Sequence, residues 1–155
     1  MMIDYKHLVE TKKIQEIVLD TGVLVNYFTE QKTSSSDWLE RYLFAEDAEI
    51  MIFISEIQRA ELYYILCRHL GEPQTKKIFA EIITVAFTFI IDDEISYNAG
   101  KIKWKQSISL ADCFCIATAM YLDCPCVFLQ EKELPSEKIK AISKQFKAKI
   151  IQFEK

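Results

Sequence analysis

Three consecutive apolar residues, Ile17, Val18 and Leu19, stop at a carboxylate, Asp20, and Gly22 follows two positions later. A short apolar run bounded this way suits a strand buried on both faces of a parallel sheet. From Val23 to Phe28 the apolar spacing becomes helical, so the stretch reads as strand, turn and helix. In open α/β sheets, ligands bind in the crevice beyond the carboxyl ends of the strands. Asp20 therefore marks the candidate site, and the question is which residues meet it.

The same punctuation recurs along the chain. A strand over about 16–20 leads to a helix over about 22–30, then a polar loop from Gln31 to Ser36. Ser34, Ser35 or Ser36 is placed to cap a helix running to about Ala45. Ile50–Ile54 is apolar throughout and of strand length, and Ser55-x-x-Gln58 has the form of a capping box. The helix it opens, about 56–70, carries Ile57, Ala60, Glu61, Tyr64, Ile65 and Arg68 on one stripe. Gly71 ends that helix and Pro73 opens the next, over about 74–85.

Phe87–Ile91 reads as a strand, and Asp92 or Asp93 caps a helix to about Lys103. Ser109-Leu110-Ala111-Asp112 is a second candidate capping box, opening a helix over about 110–122. Val127–Leu129 is a short strand, Pro135 and Ser136 open a lysine-rich helix, and Lys149–Phe153 is a final strand. Such alternation predicts a three-layer α/β/α fold with a mainly parallel central sheet. Residues 16–155 form one domain in this reading. Residues 1–15 are an N-terminal extension, either a short surface helix or a flexible arm.

Composition narrows the function. The chain has 155 residues with a net charge of −4, which argues against retention on nucleic acid by overall charge. Its longest apolar stretch, Ile82–Ile91, is too short to span a bilayer, and Asp4 and Glu10 interrupt any leader-like segment. A cytoplasmic protein with no membrane partner is expected. The five cysteines are odd in number, and the pairs 113/115 and 124/126 miss the usual zinc spacing, so they read as packing residues. With only three glycines there is no phosphate-cradling loop.

Four acids occupy comparable places: Asp20, Glu61, Asp112 and Glu131. Each follows an apolar segment or lies near a helix start, so one sheet edge could gather all four. Singly they have plainer readings. Asp20 could cap a helix, Asp112 could serve the Ser109 box, and Glu131 could lie in a solvated turn; Glu61 sits beside Ala60 and Tyr64 on a semi-buried face. Together they would repel, by roughly 4 kcal/mol for two charges about 4 Å apart at an effective dielectric of about 20. Such a cluster needs protons or a cation, and oxygen ligands without His or Cys select Mg²⁺ or Mn²⁺. Acid-held ions of this kind activate water for phosphodiester cleavage.

The segments Leu19-Asp20-Thr21-Gly22-Val23-Leu24, Ser55 to Leu62, and Ser109-Leu110-Ala111-Asp112 running on to Ala119 resemble PIN-domain nucleases, most nearly the VapC-type toxin ribonucleases and their archaeal relatives. The likeness covers roughly residues 16–153. It implies a Mg²⁺- or Mn²⁺-dependent endoribonuclease, a homodimer, and an antitoxin partner if the chain is a toxin. By the same likeness Asp20, Glu61, Asp112 and Glu131 are metal-binding catalytic acids, and Thr21 stands where the family often has Ser or Thr. Glu131 is one methylene longer than the family's usual Asp, and Leu129 replaces the usual Ser or Thr.

RNA would be guided by Arg59, Arg68 or Lys132. The lysines from Lys138 to Lys149 read rather as a solvated face. The competing reading is a catalytically weak PIN-like scaffold that binds RNA or protein.

Overall fold

The computed structural model describes residues 3–29 and 32–154. The expected end of the second helix at 30 and the first residue of the polar loop, Gln31, lie outside these. The elements are α1 (Tyr5–Glu10), β1 (Glu16–Leu19), α2 (Thr21–Thr29), α3 (Ser34–Tyr42), β2 (Met51–Ser55), α4 (Glu56–Leu70) and α5 (Glu72–Val85). They continue with β3 (Ala86–Phe89), α6 (Asp93–Lys105), α7 (Leu110–Leu122), β4 (Cys126–Leu129), α8 (Ser136–Phe146) and β5 (Ile150–Phe153). The five strands form one sheet in the order β3-β2-β1-β4-β5, and every pairing is parallel.

The strand period of two divides the core. In β1, Ile17 and Leu19 face one layer and Val18 faces the other; in β4, Val127 and Leu129 oppose Cys126 and Phe128. The first layer packs Val23, Leu39, Leu62, Leu66 and Ile78 from α2 to α5. The second packs Ile95, Ile102, Ile116 and Ile142 from α6 to α8. This is the expected three-layer sandwich, with β1 at its centre. All five cysteines are free; four are buried, and Cys67 is half-buried.

Several local expectations change. The cap of α3 is Thr33, whose hydroxyl accepts from the Ser36 N–H, while Ser36 supplies the return bond as the third residue of the helix. The buried face of α4 is Gln58, Leu62 and Leu66, and the stripe through Ile57 and Tyr64 points outward at 37% and 46% exposed. A buried glutamine was hidden from a pattern that counts only apolar residues. Residues 5–10 are helical, capped by Asp4, with Val9 buried in the first core layer. The Trp38 Nε1–H bonds to Glu10 Oε1 at 2.9 Å, which ties α1 to α3.

Candidate active site

Parallel pairing puts the carboxyl ends of β1, β2 and β4 on the same edge, and each leads straight into an acid-bearing segment. Asp20 follows Leu19 at the end of the central strand and is only 6% exposed. Its N–H donates to Val127 O at 3.1 Å, which fixes it between β1 and β4. Its Oδ2 accepts from the Gly22 N–H at 3.0 Å, a cap for α2. Oδ1 has no hydrogen-bond partner and is sealed from solvent. The helix-cap reading of this residue is therefore met by one oxygen, while the other is buried without a partner.

Asp112 lies in the first turn of α7. Ser109 Oγ accepts its backbone N–H at 3.1 Å, so the cap is made and the carboxyl remains available to the site. Glu61 sits one turn into α4 and is half-buried. Glu131 follows β4 on an exposed turn closed by a bridge to Leu134, whose N–H donates to Glu131 O at 3.0 Å. Its Oε1 reaches back over Gly22, lying 3.2 Å from where a Cβ there would sit.

Electrostatics join the four. Burial pushes the Asp20 carboxyl well above its usual range; the charge of Asp112 adds to this, the Gly22 N–H opposes it, and Glu61 and Glu131 raise it further. Burial likewise pushes Asp112 up to about 6; the Ser109 hydroxyl offsets part of that, while Glu131, Glu61 and Glu133 add to it. The two ion pairs found among the described residues, Lys32–Asp37 and Lys149–Asp123, involve none of these acids.

An all-oxygen donor set with an orphaned buried carboxylate oxygen fits a hard divalent cation. Among the described residues, no three His, Cys, Asp or Glu side chains are already close enough to enclose one ion. Buried Asp20 and half-buried Asp112 would hold it, with half-buried Glu61 and exposed Glu131 as the further oxygen donors.

The other candidates are not part of this set of oxygen donors. Thr21 is 2% exposed and its hydroxyl donates to the Gln58 carbonyl at 3.4 Å, so it supports the fold of the site from beneath. Arg59 is exposed on a shallow depression with Tyr63, Lys76 and Phe79, and Lys132 is exposed beside Glu131 and Glu133. Sequence reasoning missed the side chain of Gln58. The Ser55-x-x-Gln58 spacing flagged it, but its Oε1 accepts from the Ser55 hydroxyl rather than the Ser55 backbone N–H, and its Nε2 donates to Ala111 O at 2.5 Å.

The fold recurs in solved structures. One is the VapBC2 complex of Rickettsia felis bound to a promoter DNA fragment, at 15% identity over 88% of this chain and 98% of that one, with a TM-score of 0.65. Another is VapBC-1 of nontypeable Haemophilus influenzae, at 14% identity over 88% and 97%, with a TM-score of 0.61. A third is VapC20 of Mycobacterium tuberculosis, described as a sarcin-ricin loop cleaving toxin, at 14% identity over 71% and 86%, with a TM-score of 0.57. No curated protein matches the sequence significantly. Residues 17–136, most of the chain and all four acids, match the PIN domain, and the chain belongs to that family.

Proposed function

We propose that this protein is a Mg²⁺- or Mn²⁺-dependent endoribonuclease whose acids Asp20, Glu61, Asp112 and Glu131 form the catalytic centre. The observation that carries the reading is the buried, unpartnered Asp20 Oδ1, set among three further carboxylates. When bound, the ion supplies a water of lowered pKa and polarises the phosphoryl oxygen. Asp20 and Asp112 anchor the site because burial makes each a poor place for an uncompensated charge. Glu61 closes one side and Glu131 the other. In-line hydrolysis would leave a 5′-phosphate and a 3′-hydroxyl. Lys132, beside the site, and Arg59, on the outer face of α4, are the cations offered to the RNA backbone.

The description of the Mycobacterium tuberculosis relative as a toxin and of a Klebsiella pneumoniae relative as a toxin-antitoxin complex supports a toxin role with a protein antitoxin, and the family likeness supports a homodimer. Among the described residues no helix is long and apolar enough to cross a membrane.

The test is cleavage of short single-stranded RNA with Mn²⁺, Mg²⁺ or EDTA, beside Asp20→Asn and Asp112→Asn. Metal-dependent cleavage lost in both variants is expected, and cleavage surviving in both would sink the assignment. The open spacing of the four acids and the longer Glu131 favour one rival, a PIN scaffold that binds without cutting. Failure to take up Mn²⁺ in calorimetry would select it.

A further inference from the structure

Gln58 is a polar side chain in a fully packed place, 1% exposed in the first turn of α4. Its polar groups reach three separate segments. The side-chain Nε2 donates to the Ala111 carbonyl, one residue before Asp112. The side-chain Oε1 accepts from the Ser55 hydroxyl at the end of β2. The backbone carbonyl accepts from Thr21 Oγ1, one residue after Asp20. Glu61 stands on the next turn of the same helix.

The bonds to Thr21 and Ala111 span 37 and 53 residues of sequence, and neither belongs to a helix or sheet ladder. We infer that Gln58 is a positioning residue, a clamp that fixes the distances between the segments carrying Asp20, Glu61 and Asp112. It touches none of the reacting atoms. The role rests on the reading of the cluster as a metal-dependent nuclease site. The amide offers a donor to Ala111 and an acceptor to Ser55 from one side chain; an ionised glutamate lacks the donor, and a methionine of similar size has no donor and only a weak acceptor.

The experiment compares the wild type with Gln58→Met, Thr21→Val and Leu66→Ala. Leu66 is fully buried further along α4 and controls for lost stability alone. In metal-free protein, hydrogen exchange at the Asp112 and Cys113 amides is expected to quicken by about tenfold in Gln58→Met, which keeps the backbone carbonyl that holds Thr21, beyond any change in global unfolding. Leu66→Ala quickens them only by its loss of global stability. In calorimetry, Mn²⁺ affinity is expected to fall by about tenfold in Gln58→Met and to stay unchanged in Leu66→Ala under conditions where both are folded.

Should Gln58→Met fail to fold, Thr21→Val decides: the clamp requires faster exchange at Gly22 with little change at Cys113. Exchange no faster than in the Leu66→Ala control, or an unaltered Mn²⁺ affinity in Gln58→Met, overturns the inference. A wild type that takes up no Mn²⁺ overturns the metal reading instead, and the exchange comparison then decides the clamp alone.

Discussion

Glu131 Oε1 lies 3.2 Å from the point that a Cβ on Gly22 would occupy, and Asp20 Oδ2 lies 3.3 Å from the same point. The absent side chain thus lets an acid from the end of β4 lean over the acid at the end of β1. Here Gly22 serves close approach, and its φ does not fall in the left-handed region.

Gly22→Ala is predicted to separate function from stability. Alanine favours a helix over glycine by about 1 kcal/mol, which offsets the tight contacts it makes. The melting temperature should change little, while Mn²⁺ affinity and cleavage fall as Glu131 is pushed aside. An unaltered Mn²⁺ affinity would show that Glu131 does not act from over Gly22.

Asp20→Asn and Asp112→Asn should each reduce RNA cleavage by at least about 100-fold, since loss of a direct ligand exceeds the usual effect of an outer-shell change. In EDTA at pH 8 the same variants should be as stable as the wild type or more so, because each removes a poorly solvated charge from a cluster of like charges. Thermal melts with and without Mn²⁺ check the sign: metal should raise the wild-type melting temperature and leave the variants nearly unmoved.

The metal-free protein should lose stability as pH rises. Asp20 and Asp112 have raised folded-state pKa values, Asp112 at about 6, against an ordinary 3.8. The folded state therefore binds more protons than the unfolded one. The contribution is fully present below about pH 4 and lost as pH climbs through 6 and, for Asp20, beyond. Asp112 alone accounts for on the order of 2 kcal/mol. Urea unfolding in EDTA between pH 4.5 and 8 measures it, and a flat or rising profile would contradict the arrangement.

Glu131→Gln should be milder than either aspartate change, about tenfold or less, because an exposed carboxylate acts through a high effective dielectric. Lys132→Ala should raise KM with little change in kcat if the lysine only holds the RNA backbone. A loss confined to kcat would place Lys132 among the reacting groups.

The fold was legible because its signals are local. The apolar runs at Ile17–Leu19 and Ile50–Ile54, with Ser55 and Ser109 as helix caps, mark elements whose identity depends on their own residues. The buried face of α4 was not legible: Gln58 reads as polar, yet it is buried because Ser55 and Ala111 satisfy its amide. The helical state of residues 5–10 was likewise open, since Val9 is buried only against elements far along the chain.

The sequence by itself determined the residue types of the proposed site: four carboxylates, no histidine or cysteine among them, three at element boundaries and Glu61 one turn into α4. Whether they would meet was a matter of strand order and direction. With β1 between β2 and β4 and every strand parallel, the segments after three strands share one edge. Only that packing could bury Asp20 with one oxygen unpartnered and bring Asp112, 92 positions later in number, into its field. Burial and Coulomb repulsion depend on distances in space, and a sequence specifies those only after the chain has closed its long-range contacts.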